Sequence, residues 1–174
     1  MADDPKPREP AKKKRRPSRR EEFVDYVVEI DGWDSGYSFS LNMDPRPISP
    51  YDEFRHLQIR GKMLRPTALK TDRVEIALLP SPELLPSPEL VGDRRKEFEP
   101  IALGTLDVRD VIYGNIGIPW DALTPILQML IAERFKFVLM RGTRIRHRSA
   151  KLNSLRLETK LTEDDVSIAE EAPA

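Results

Sequence analysis

The chain contains no cysteine, which excludes disulfides, thiol nucleophiles, thiolate zinc sites and cysteine-ligated iron–sulfur clusters. Histidine is scarce too: His56 and His147 are the only two. A metal centre would therefore lean on carboxylates, and the acid spacing of a calcium loop is absent. No apolar run approaches the ~20 residues of a membrane span. The N-terminus is charged and proline-rich, without the apolar core of a signal peptide. The expectation is a cytoplasmic protein with no transmembrane segment. Phosphate-binding glycine loops, dinucleotide fingerprints and coiled-coil heptads are also missing. No cofactor, metal site or catalytic residue is expected.

What the chain does have is charge, unevenly placed. The formal net charge is zero, yet residues 1–20 hold nine Lys or Arg against Asp3, Asp4 and Glu9. Residues 162–174 hold five acids and no base. Proline, at 16 of 174 residues, is well above the usual ~5% share. The first 20 residues carry no apolar side chain larger than alanine after Met1, so they cannot bury enough surface to offset ordering entropy. They read as a disordered basic tail, and 162–174 as a disordered acidic tail or frayed helix. Residues 21–161 read as one domain, long enough for a sizeable core.

Within that domain alternation is the main signal. Val24, Tyr26, Val28 and Ile30 share one parity; Tyr37, Phe39, Leu41 and Met43 share another. Asp31-Gly32-Trp33-Asp34-Ser35-Gly36 lies between, and predicts a hairpin turn. Further strands are expected around Leu57–Met63, Val74–Leu78, Leu106–Val108, Ile116–Ile118, Phe135–Leu139 and Leu155–Leu157. Arg141-Gly142-Thr143 is a candidate tight turn, and a bulge at Gly104-Thr105 accounts for a parity switch there. The stretch 79–100 reads as a proline-rich loop and opens with a tandem hexapeptide, Leu-Pro-Ser-Pro-Glu-Leu. It is either a tolerated loop duplication or a polyproline segment for a partner groove. Helical spacing of Leu123, Leu127 and Leu130, with Ile126 and Ile131 flanking, predicts a helix over 121–133, capped by Asp121 or by Thr124 with Pro125 behind it. The fold class expected is mostly β: an antiparallel β-sandwich or open barrel with one α-helix.

Two cationic features stand out as anion or partner contacts. Lys12, Lys13, Lys14, Arg15, Arg16, Arg19 and Arg20 form a dense run suited to salt-sensitive contact with phosphates or an acidic partner. Arg144, Arg146 and Arg148 are expected to project from one face of a strand, with the alternative of an ordinary solvated sheet face. Trp33, at the predicted hairpin tip, is a candidate anchor for a protein partner. His147, expected to point inward with Ile145, could be grouped on paper with Ser149 and Asp107. No nucleophile-elbow motif accompanies them.

Arg15-x-x-x-Arg19 and Arg16-x-x-x-Arg20, ahead of a β-rich segment, resemble the entry motif of PilZ domains. Those are β-barrels that bind a cyclic dinucleotide. The family's second motif, Asp/Asn-x-Ser-x-x-Gly, has its nearest counterpart in Asp34-Ser35-Gly36-Tyr37-Ser38, at a different spacing. The half motif is not taken as membership. The functional expectation is a non-catalytic binding or assembly module for a protein partner, or for self-association. The basic tail would add contact to an acidic partner or nucleic acid. The alternatives are a nucleic-acid binder using the tail and the arginine strand, and a small enzyme centred on His147.

Overall fold

The computed structural model describes residues 22–43, 50–81, 84, 102–162 and 165. Seven strands and one helix follow in the order β1 (Phe23–Leu41), β2 (Tyr51–Arg65), β3 (Arg73–Ser81), β4 (Gly104–Val108), β5 (Ile112–Pro119), α1 (Leu123–Ile131), β6 (Phe137–Thr143) and β7 (Ser149–Glu158). The sheet closes on itself as β1-β2-β3-β5-β4-β7-β6, with β6 returning to β1. The mostly-β fold with one helix is as expected, but the sheet closes into a barrel where a sandwich or an open barrel was expected. The sheet is mixed, however, because β3 and β5 run parallel. A parallel neighbour needs a long connection, and the proline-rich stretch between Ser81 and Gly104 supplies it. Most of that stretch lies outside the described residues. Its first three residues, Leu79-Pro80-Ser81, extend β3 instead of forming a loop. Beyond Leu78, β3 has β5 alone as a neighbour, an edge position that tolerates proline.

The predicted first hairpin does not exist. Residues 23–41 form one continuous strand. Ile30 pairs with Gly61 and Gly32 with Arg60, so Asp31 is an extra residue. Such a bulge shifts every later side chain to the other face. Tyr26 and Val28 are buried in the core on one side of it, and Trp33 packs against the core on the other. The parity change that suggested a turn is this bulge.

A second bulge separates Arg141, opposite Ser154, from Gly142, opposite Leu152. The predicted turn at Arg141-Gly142-Thr143 is therefore the end of a strand. Glycine sits at each tight approach. A Cβ on Gly61 would collide with the carbonyl oxygen of Glu29, and one on Gly142 with that of Lys151.

The barrel interior is filled. Tyr26, Leu57, Ile59, Ile76, Leu78, Leu106, Ile112, Ile116, Met140 and Leu152 are fully buried, and no polar residue is buried among the described ones. This is the side-chain packing of a small barrel. Helix α1 lays Leu123, Ile126, Leu127 and Leu130 on that core. Ala122 precedes it, without a side-chain cap, so neither Asp121 nor Thr124 plays the predicted role. The Ile126 N–H donates to the Ala122 carbonyl at 3.2 Å. Pro125 thus lies in the first turn, where its missing N–H has no intrahelical partner to lose. Among the described residues no helix is long and apolar enough to cross a membrane.

Gly142→Ala should lower stability by about 1–3 kcal/mol, the usual range for forcing an extra methyl into packed structure. Gly32→Ala should change it little, because the nearest atoms are the mobile Arg60 guanidinium at 3.7 Å. Urea midpoints of the two variants check the contrast.

Candidate functional site

With the interior filled by apolar side chains, any ligand must be met on the outer wall or at the barrel ends. At one end β6 and β7 are joined by the segment that carries the predicted arginine stripe. Arg144, Arg146 and Arg148 do not share a strand face. Arg144 follows the end of β6, and Arg146 and Ser149 flank a two-residue turn of His147 and Arg148. Arg146 and Ser149 exchange main-chain hydrogen bonds of 2.9 and 3.0 Å. His147 has φ 51° and Arg148 φ 68°. Both φ values are positive, as in the I′ turn that suits strand twist and usually takes Asn-Gly. Two side chains with Cβ in the left-handed region cost about 1–2 kcal/mol each. All three arginines and His147 are exposed, so His147 points outward and not into the core.

The stem of this loop is held from inside. The buried Tyr26 hydroxyl donates to the Thr143 carbonyl at 2.7 Å. Burial pushes the Tyr26 pKa up to about 12, against the opposing pull of a hydrogen bond with the Ile145 main chain and the charge of Arg144. The Arg144 N–H also donates to the Glu22 carbonyl at 3.1 Å, and its guanidinium lies 3.7 Å from the Glu22 carboxylate. The residue two positions after Arg20 is thereby fixed beside the arginine loop. A cavity of about 230 Å³ opens there, lined by Glu22, Thr143, Arg144, Arg146, Ser149 and Lys151. The run Lys12–Arg20 itself lies outside the described residues.

The register sets Ser149 opposite Asp107, and His147 sits in the adjoining turn. No hydrogen bond links the three side chains among the described residues. Ser149 and Asp107 are brought side by side, while His147 is exposed on the turn.

Trp33 is not at a hairpin tip. It lies within β1 opposite Ile59 and packs against the core, so it leaves the set of exposed anchors. The exposed aromatics lie further along the same strand. Among the described residues, past Ile30 β1 has β2 alone as a strand neighbour, and residues 51–56 of β2 pair with β1 alone. The two form an arm beyond the barrel. Tyr37, Phe39, Leu41, Tyr51 and Phe54 are exposed on it, with Phe39 stacked on Tyr51 at 5.3 Å. The arm is tethered at its root. The Arg55 guanidinium lies 4.7 Å from the Trp120 ring centroid and 5.6 Å from that of Tyr37, and donates to Glu53. Trp120 is thus a partner of Arg55 at the helix entrance.

His56 lies on the opposite face of the arm beside Gly36, where a Cβ would strike its ring. Phe54 flanks it with centroids 5.3 Å apart. Its Nδ1 is buried without a hydrogen-bond partner. The ring borders a polar groove of about 390 Å³ with Gln58, Glu75, Asp107, Arg109 and Tyr113. No cluster of three or more potential metal ligands occurs among the described residues.

Sequence reasoning missed two features: this aromatic arm and an arginine-lined groove on β1, β2, β6 and β7. The arm begins where the β1–β6 pairing ends, which the sequence pattern does not mark. The groove draws on residues far apart in sequence, which only strand register brings together. Compared with known family models, curated proteins and solved structures, the chain matches none.

Tyr26→Phe should cost about 1 kcal/mol, the value of one hydrogen bond with its acceptor left behind. The raised pKa adds a sign. The folded state holds this proton more tightly, so the Tyr26 contribution is complete below the ordinary value of 10.0 and is lost as pH rises through about 12. Tyr26→Phe should remove that part of the alkaline loss, read by denaturant unfolding across this range. Replacing His147-Arg148 with Asn-Gly should raise stability by about 1 kcal/mol or more, by relieving the left-handed strain. Thermal unfolding checks it.

Proposed function

We propose that the chain is a non-catalytic binding module whose cationic barrel end contacts a polyanion, either nucleic acid or an acidic protein partner. The observation that carries this reading is the pairing of Glu22 with Arg144. It holds Glu22, two positions after Arg20 in sequence, beside Arg144, and so supports a reading in which the basic run and the three exposed arginines serve one partner. Clustered cations of this kind gain affinity through counterion release, with little dependence on sequence. The left-handed turn holds His147 and Arg148 at the tip where Asn-Gly would cost less. Strain kept at an exposed, charged tip is consistent with a contact role.

The test is a titration of short duplex DNA and RNA at low and physiological salt. Three proteins are compared: the full chain, the chain without residues 1–20, and the triple variant Arg144→Ala, Arg146→Ala, Arg148→Ala. Both changes should weaken binding. The triple variant should also flatten the salt dependence by a slope of about 2–3, close to one for each phosphate it no longer neutralises. Binding by the full chain that neither change weakens would sink the reading. An acidic protein partner is indicated if duplexes do not bind while an acidic polymer such as polyglutamate does, with the same loss in the triple variant.

The arm favours a second contact, with another copy of the chain. Among the described residues no third strand borders it, and aromatic side chains are exposed on it, the condition that edge pairing between copies relieves. Sedimentation velocity should show a dimer that Phe39→Lys dissociates. A monomer at every concentration would exclude the arm as a self-association surface.

A further inference from the structure

One stretch of the barrel wall carries charge opposite to that of the arginine end. Glu75 of β3, Tyr113 of β5 and Asp107 of β4 stand in one register row. The adjoining row holds Gln58 of β2, Ala77 of β3 and Asn115 of β5. All six face outward, because core residues such as Leu57, Ile76, Leu106 and Ile116 flank them in the chain. They line the groove of about 390 Å³ that His56 borders. A strand spacing of ~4.8 Å puts the Glu75 and Asp107 backbones about 10 Å apart, and Tyr113 lies between them.

Neither carboxylate has a cationic partner among the described residues. Glu75 accepts a hydrogen bond from the Gln58 amide at 3.1 Å, which orients it and leaves its charge. Arg60 sits opposite Glu75 in the register. Its guanidinium lies on the other side, toward β1, 3.7 Å from where a Cβ on Gly32 would stand. Arg109, exposed on the β4–β5 turn, also lines the groove. The lining therefore sets two carboxylates against one guanidinium. Tyr113 is 40% exposed, so its ring is open to a ligand. At the border, the Nδ1 of His56 is buried without a hydrogen-bond partner.

We propose that this groove binds the guanidinium of an arginine side chain carried by a peptide segment of a partner protein. A planar cation laid on Tyr113 meets a carboxylate on either side, which combines ring stacking with ionic hydrogen bonds. Two carboxylates and two amide oxygens are acceptors for its five N–H donors. The chain already makes the same kind of contact, with the Arg55 guanidinium 4.7 Å from the Trp120 centroid and 5.6 Å from that of Tyr37. A metal ion fits less well, since no group of three potential ligands occurs among the described residues. Small-molecule sites are mostly apolar and enclosing. This groove is polar, and Tyr113 and Asn115 are exposed in it, which suits a side chain on a larger partner. It shares no lining residue with the cavity at the arginine loop, and the inference stands apart from the polyanion reading.

The test titrates the isotope-labelled full-length chain with a short blocked peptide that has one arginine among alanines. Amide chemical shifts are followed at physiological salt. The shifts should centre on Gln58, Glu75, Tyr113 and Asn115. The same peptide with citrulline, a neutral analogue of arginine's shape, should produce none, and the lysine peptide should bind more weakly. Glu75→Gln and Asp107→Asn should each weaken binding roughly twofold to fivefold, as expected for a solvent-exposed ion pair. Tyr113→Leu should do the same by removing the ring. These changes lie on the outer wall, and circular dichroism confirms the fold of each variant. Duplex binding should be little changed by Glu75→Gln, which separates this outcome from that of the cationic end. No shift at the groove at roughly 10 mM peptide would overturn the proposal. So would equal binding of the citrulline or lysine peptide, or an affinity that Glu75→Gln and Asp107→Asn together leave intact.

Discussion

The architecture depends on β1 serving two neighbours and then leaving one of them. From Phe23 to Glu29 it closes the barrel against β6, and from Val27 to Leu41 it pairs with β2. One inserted residue, Asp31, sets which face each later side chain takes. It keeps the apolar parity on the inner face through Ile30, then returns Trp33 to that face after a local twist. Without it the later aromatic run would follow the opposite face of the arm. Gly61 across the bulge is the matching requirement, since only a residue without Cβ accepts the Glu29 carbonyl so near. The position of Trp33 and the face of the arm on which Tyr37 and Phe39 stand are consequences of one local geometry.

Much of the fold was legible because its signals are local. Alternation marked the strands, and the spacing of Leu123, Ile126, Leu127 and Leu130 marked the helix face that rests on the core. The errors arose where a local signal has two physical causes. Asp31 to Gly36 has the composition of a turn, and a parity change fits either a turn or a bulge. Gly142 reads as a turn glycine but serves a close strand approach. The arginine triplet has strand periodicity, yet the hairpin turns within it. The parallel pairing of β3 with β5 has no local signature at all.

The candidate sites follow the same division. The exposed cations 144, 146 and 148 were visible as a cluster in sequence, and only their platform was misjudged. Arg65, Arg141 and Arg156 were not visible as a set, because three different strands contribute them. A filled interior with no buried polar residue among the described ones leaves recognition to the outside of the barrel. There the ion pairs are mostly exposed, as with Lys62–Asp72 at 3.6 Å and Arg144–Glu22 at 3.7 Å. Such pairs add little to stability and are screened by salt. The outer wall can exchange ionic partners while the apolar core stays as it is.

The strand order also limits how the chain can fold. β5 takes its place between β3 and β4, so the sheet cannot zip up in the order in which it is written. The pairing of β3 waits for the β4–β5 hairpin, and closure of the barrel waits for β6, more than a hundred residues after β1. During synthesis the apolar face of β1 therefore emerges long before its final neighbour. Contacts this distant in sequence slow folding, and a partly made chain must pass through a stage with open strand edges and an uncovered core.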